Sequence, residues 1–114
     1  MSSLKESRFQ EVKGTSEDGK LIRVEGVSNQ FAIRYDFGNW RGWLNCNFSW
    51  GVINRNSVVL ISATEAGQEG VAFVGDAVYT VHNVAPYDGG VHFRVHIDWS
   101  TPIRFVVMIL VVNP

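Results

Sequence analysis

The chain has 114 residues, of which 46% are hydrophobic and 18% are charged, and its formal net charge at pH 7 is −1. This length and composition predict one globular domain spanning residues 1–114 and exclude a disordered chain. The charge provides no broad basic field, so we do not expect nucleic-acid binding. Seven Phe, four Trp and three Tyr, together with many Val and Ile residues, favour strands over helices.

Cysteine content and hydropathy bear on the location of the protein. The single cysteine, Cys46, cannot form an intrachain disulfide or a Cys-rich zinc site, which fits a reducing cytoplasm. Residues 1–7 lack the apolar core of a secretory signal. The longest nearly apolar run, Phe105 to Val112, is far shorter than the ~20 residues that span a membrane. We therefore expect a cytoplasmic protein without a membrane segment.

Two interpretations are open for residues 1–13. Ser3 and Glu6 have the spacing of a helix capping box, and Leu4, Phe9 and Val12 lie roughly along one helical face. A strand would place Phe9 and Val12 on opposite faces. The segment is therefore interpreted as a short amphipathic helix or as a frayed terminus, with residues 1–7 the candidates for disorder.

The rest of the chain consists of alternating segments separated by turn residues. Asp18-Gly19 is a strong hairpin signal, and Pro86 to Gly90 is typical of a tight turn. The patterns predict about eight strands. The fifth and sixth are either two separate strands or one long strand that bends at Gly75-Asp76. The bounds of the eight strands are Leu21 to Val27, Phe31 to Phe37, Leu44 to Val52, Ser57 to Thr64, Val71 to Val74, Ala77 to Val84, Gly90 to Trp99 and Ile103 to Val112.

Two of these strands alternate most clearly between apolar and polar side chains. In Gly90 to Trp99, the predicted core face carries Val91, Phe93, Val95, Ile97 and Trp99, and the other face carries His92, Arg94, His96 and Asp98. In Leu44 to Val52, the predicted core face carries Leu44, Cys46, Phe48, Trp50 and Val52. The opposite face of that strand carries Trp43, Asn45, Asn47 and Ser49.

The order of the segments favours an all-β fold. Short strands follow one another without a helical crossover, which is the pattern of an antiparallel β-sandwich or a jelly-roll-like barrel. Ile103 to Val112 is apolar on both faces, as in a strand whose two faces both pack against other parts of the protein. We expect the N-terminal segment or a second subunit to supply the second cover, and we therefore expect a homo-oligomer.

The polar face of Gly90 to Trp99 is the first candidate site. Residues four apart on one strand face lie roughly 13 Å apart, so His92 and His96 cannot bind one metal ion by themselves. A metal site would need His96, Asp98 and a third ligand such as His82, and we expect none. Arg94 between two imidazoles instead suits an anionic ligand or a general acid–base pocket. The alternative is a solvated face with cross-strand charge pairs.

An indole beside amide side chains forms the second candidate site. Trp43, Asn45, Asn47 and Ser49 share a predicted face, and Trp40 precedes them closely. A flat neutral ligand such as a glycan can stack on the indole while the amides bind its hydroxyl groups. The alternatives are that Trp40 and Trp43 close the end of the core or pack on another subunit.

The remaining motifs are weak. The loop from Gly67 to Gly70 and the turns at Asp76 and Asp88 lack the ladder of oxygen ligands that a calcium site needs. The chain has no nucleophile elbow, phosphate-binding loop or His-Glu-x-x-His motif. Cys46 falls on a predicted core face, where a thiol is inert.

These observations favour a small soluble binding or interaction module without a cofactor. Its ligand is expected to be small and polar or anionic, with a glycan included, and to bind a sheet face or cleft. The candidate ligand-binding residues are Arg94, His92, His96, Trp43, Asn45, Asn47 and Trp40. Two alternatives are open: a self-assembling structural subunit, or a small enzyme that performs acid–base chemistry with His92, Arg94, His96 and Asp98.

Overall fold

The computed structural model describes residues 8–22, 29–67 and 70–114. The expected disorder of residues 1–7, the end of the strand predicted from Leu21 to Val27, and part of the loop from Gly67 to Gly70 lie outside the described residues. Within the three described ranges, no helix is long and apolar enough to cross a membrane.

Nine strands lie within these ranges and form two sheets. They are β1 (Phe9–Thr15), β2 (Lys20–Ile22), β3 (Gln30–Trp40), β4 (Gly42–Ser49), β5 (Val58–Ala66), β6 (Ala72–Phe73), β7 (Val78–Tyr87), β8 (Gly90–Asp98) and β9 (Ile103–Val112). The four-stranded sheet has the order β1-β4-β8-β7, and the five-stranded sheet has the order β2-β3-β9-β5-β6. The predicted all-β, sandwich-like fold is confirmed.

The core lies between the two sheets and follows the alternation of the sequence. The fully buried side chains of β4, β8 and β9 include Leu44, Cys46, Phe48, Val91, Phe93, Val95, Ile97, Phe105, Val107, Ile109 and Val111. Trp99, which the alternation also places in the core, is 39% exposed because β8 ends at Asp98. The pleat of each strand therefore determines which side chains remain on the outer faces.

The N-terminal segment differs from the prediction, because its described part is a strand and not a helix. Strand β1 pairs in parallel with β4, with Phe9 opposite Trp43 and Val12 opposite Cys46. Val12 is buried in the core, whereas Phe9 packs edge-on against Trp43 on the outer face, at 5.8 Å between ring centroids. The two apolar residues do lie on opposite faces, and each has its own partner, so the break in alternation did not exclude a strand.

The prediction of a β-hairpin at Asp18-Gly19 is also wrong. A single 3-10 turn, Ser16–Asp18, carries the chain from β1 in one sheet to β2 in the other. Gly19 is needed there because a Cβ atom would lie 2.6 Å from Cδ1 of Ile33. The Asp-Gly pair therefore serves a crossing between sheets, where close packing excludes a larger residue.

Two strands continue past their predicted ends through β-bulges. Strand β3 shifts register between Asp36 and Gly38 and reaches Trp40. Gly38 has φ +87° there, and its amide donates a hydrogen bond to Oδ1 of Asp36 at 2.8 Å. Strand β7 shifts register between His82 and Ala85 and reaches Tyr87, so the turn before β8 is shorter than predicted.

The last strand, β9, is central in its sheet, between β3 and β5. Its outer face carries Val106, which is buried, and Met108 and Leu110, which are half-buried. Of the two expected covers, the N-terminal segment and a second subunit, the first does not lie here in its described part, which forms β1 in the opposite sheet. Within the described ranges, this face is bordered by the neighbouring strands and, near Val106, by Asp18, Gly19 and Gly70.

The ion pair beside the β3 bulge provides a test of stability. Nε of Arg104 donates to Oδ2 of Asp36 at 2.7 Å. Partial burial by itself raises the pKa of Asp36, but the hydrogen bonds from Arg104 and Gly38 and the Arg104 charge together hold it below its ordinary value. Ionised Asp36 therefore stabilises the fold above the unfolded-state pKa of 3.8, and this stabilisation is lost as the pH falls through the folded-state pKa.

We expect Asp36→Asn to lower the free energy of unfolding by about 1 kcal/mol at pH 7, because the pair is partly screened by solvent. The difference should vanish at strongly acidic pH, where Asp36 of the parent protein is protonated. Urea unfolding at both pH values measures this difference in the free energy of unfolding. The control is Asp88→Asn, at the exposed Arg55–Asp88 pair. An equal loss at both pH values would show that the Asp36 charge does not stabilise the fold.

Candidate functional site

The outer face of the four-stranded sheet joins the two candidate sites into one surface. The register of β4 and β8 places Trp43 opposite His96, Asn45 opposite Arg94, and Asn47 opposite His92. The flanking strands β1 and β7 extend this surface on both sides. We call it the polar sheet face, and it comprises Phe9, Glu11, Trp43, Asn45, Asn47, His82, His92, Arg94 and His96.

Aromatic rings crowd one end of the polar sheet face. The imidazole of His96 stacks on the indole of Trp43, with 4.3 Å between centroids and 18° between the planes. The ring of His82 lies 5.3 Å from the same indole, and the Arg8 guanidinium lies 5.5 Å from it. Trp43 is half-buried by these neighbours and by Phe9.

Arg94 lies over an aromatic ring at the centre of the polar sheet face. Its guanidinium carbon is 4.3 Å from the ring centroid of Phe9, which is a cation–π contact. Within the described part of the chain, Arg94 forms no ion pair with a carboxylate. A guanidinium packed through its planar face keeps its N–H groups at the edge, where they can donate to a planar or tetrahedral oxyanion.

A chain of hydrogen bonds orients the side chains next to Arg94. Nδ2 of Asn45 donates to Oε2 of Glu11 at 2.9 Å, and this fixes the amide with its oxygen toward His92. Nε2 of His92 lies 2.5 Å from that oxygen, so it carries the proton and donates. Two residues along β4 from Asn45, Oδ1 of Asn47 accepts a hydrogen bond from the Tyr87 hydroxyl at 2.5 Å.

The structure brings together six of the predicted site residues, leaves Asp98 at the end of the same strand and places Trp40 in the other sheet. Arg94, His92, His96, Trp43, Asn45 and Asn47 all lie on the polar sheet face. Asp98 is on the same side of β8 as His96, two residues farther along, at the exposed end of the strand opposite Val78. Trp40 belongs to β3 in the other sheet, where it packs against the core and its Nε1 donates to the Phe37 carbonyl at 2.8 Å.

Three members of the polar sheet face were missed by the sequence analysis. Phe9 and Glu11 lie on β1, which was not predicted as a strand, and His82 was considered only as a third metal ligand. The register places His82 opposite Arg94, and Thr80 opposite His96. Within the described ranges, no group of three or more His, Cys, Asp or Glu side chains has the spacing to hold a metal ion.

The two faces of the molecule differ in shape as well as in polarity. Cavities of about 270 and 230 Å³ lie on the outer face of the five-stranded sheet. A third, of about 180 Å³, is lined by β5, β6 and β7. No residue of the polar sheet face lines any of these three cavities.

Comparisons with known proteins do not assign a function. The chain matches no protein-family model, no curated protein and no solved structure. Functional inference therefore depends on the chemistry and geometry of the described residues.

The buried thiol of Cys46 provides a test of the core beneath the polar sheet face. Cys46 is fully buried, and burial, with a smaller effect of the Glu11 charge, raises its pKa to about 12. Because the thiolate is the reactive form, we expect a disulfide reagent to label native protein at least roughly a hundredfold more slowly than urea-unfolded protein. Cys46→Ser is the blank, and equal labelling rates would contradict this burial.

Proposed function

We propose that this chain is a small binding module that recognises an anionic group, a carboxylate or a phosphate, on the polar sheet face. The observation that carries the proposal is the position of Arg94. Its guanidinium packs on Phe9 at 4.3 Å and has no carboxylate partner within the described ranges. This contact restricts the side chain, so less side-chain freedom is lost when an oxyanion binds the N–H groups of the guanidinium.

The two histidines of β8 support an anionic ligand. His92 and His96 lie two residues to either side of Arg94 on the same face, at roughly 6.6 Å along the strand. Both rings therefore lie on the same side of the sheet as an anion that binds Arg94, where an imidazole N–H group can serve as a further donor.

The arrangement of Trp43 and Asn45 favours an anion over a glycan. His96 stacks on one face of the Trp43 indole, which leaves less ring surface for a sugar. Asn45 uses its amide nitrogen for Glu11 and its oxygen for His92. Both groups that would bind a neutral sugar are therefore already engaged, whereas the edge of Arg94 faces no carboxylate within the described ranges.

Isothermal titration of the protein with inorganic phosphate, acetate and citrate tests the proposal, with a methyl glucoside as the neutral probe. We expect at least one anion to bind saturably. Arg94→Lys should weaken that binding about tenfold or more, since a charge-assisted hydrogen bond contributes about 1.5 kcal/mol or more. The matched control is Arg55→Lys, because Arg55 lies away from this face beside Asp88.

Three results would contradict the proposal. The first is the absence of binding by all three anions. The second is binding that Arg94→Lys leaves unchanged while thermal unfolding confirms that the variant is folded. The third is binding of the methyl glucoside alone, which would favour a glycan on the same face.

A further inference from the structure

The outer face of the five-stranded sheet combines an apolar half with a cationic half. The registers of β2, β3, β9 and β5 align four apolar side chains in one row: Ile22, Ala32, Leu110 and Leu60. The adjacent row on the same face aligns Lys20, Arg34, Met108 and Ser62. Hydrocarbon and positive charge therefore lie side by side on one surface.

The apolar row lines an open trough of about 270 Å³, together with Met108 and Ser62. Leu60 is 59% exposed and Ile22 is 41% exposed at its two sides. Across these four strands the row spans about 14 Å, given ~4.8 Å between neighbouring strands. This length suits an extended hydrocarbon chain that lies across the strands.

The charged end of the same face is a pocket of about 230 Å³. Its ionisable lining residues are Asp18, Lys20, Arg34, Asp36 and Arg104. Arg104 and Asp36 pair with each other, and Asp18 is an exposed carboxylate of the turn before β2. The cations of the row next to the trough are Lys20 and Arg34.

Arg34 is the member of this pocket that the described residues leave unsatisfied. Its Nε atom is buried and has no hydrogen-bond partner among them. Lys20 lies directly opposite Arg34 on the neighbouring strand, and like charges in this position destabilise a sheet. An oxyanion in the pocket that Lys20 and Arg34 line would lie near both positive charges and offset this repulsion.

We propose that this face binds a free, monomeric amphiphilic carboxylic acid. The carboxylate lies between Arg34 and Lys20, and the hydrocarbon chain lies in the trough over Ala32 and Leu110. Ala32 and Arg34 are two residues apart on the same face of β3, roughly 6.6 Å, so a single small molecule reaches both. This site shares no residue with the polar sheet face.

Titration with octanoate below its micelle-forming concentration tests the proposal on the intact chain. Octanamide has the same chain without the charge, and acetate has the charge without the chain. We expect octanoate to bind saturably and at least tenfold more tightly than either analogue. Chemical-shift changes in a ¹⁵N spectrum should be centred on β2, β3 and β9.

Paired variants separate the two halves of the site. Arg34→Gln and Lys20→Gln should each weaken octanoate binding about tenfold, with Lys13→Gln on β1 as the control for charge. Leu60→Asn should weaken it by a similar factor, with the fully exposed Val74→Asn as the control for polarity. Lys20 and Leu60 are exposed, so these two variants are informative even if Arg34→Gln fails to fold.

Several outcomes would overturn the proposal. If octanamide binds as tightly as octanoate, the face is only an apolar surface for a protein partner. If light scattering shows a dimer that Leu60→Asn dissociates, a second copy of the chain occupies the face. If Arg94→Lys abolishes octanoate binding, the acid binds the polar sheet face instead. Absence of octanoate binding refutes the site directly, and it leaves the proposal for the polar sheet face unaffected.

Discussion

The packing of aromatic rings between the two sheets is the constraint on which the outer surfaces depend. Phe37 of β3 stacks on Phe105 of β9 at 5.0 Å and meets Phe93 of β8 edge-on at 6.4 Å. Tyr35 and Phe48 make a second contact between sheets, at 5.0 Å. Because side chains alternate along each strand, fixing these rings in the core forces the residues between them outward. A slip of one residue in β4 or β8 would bury a polar row.

This dependence explains how much of the candidate site could be predicted from sequence. The alternation of β8 identified His92, Arg94 and His96 as one outward row, and this needs no knowledge of the neighbouring strands. Which strand lies beside β8 is a long-range property, so the sequence left Trp43 and Asn45 as a separate site. Strand β1 escaped detection because Phe9 packs on an outer-face partner, Trp43, and the two rings meet only once β1 has paired with β4.

The two outer faces differ because their central strands have different sequences. Strand β8 alternates strictly and presents charged and imidazole side chains, whereas β9 is apolar on both faces from Phe105 onward and presents Met108 and Leu110. Their flanking strands accentuate this difference: β4 contributes amides beside β8, and β5 contributes Leu60 beside β9. The same fold therefore has one polar outer face and one that combines apolar and cationic side chains, and we propose a different ligand for each.

Two edge strands, β7 and β6, have features that discourage pairing with another chain. A free edge strand can pair with another chain, and short strands, bulges and proline discourage such pairing. Strand β7 carries a register shift between His82 and Ala85 and has Pro86 near its end. On the other sheet, edge strand β6 has only two residues. With these two edges blunted, side chains on the outer faces offer larger continuous surfaces for recognition than β6 or β7 does.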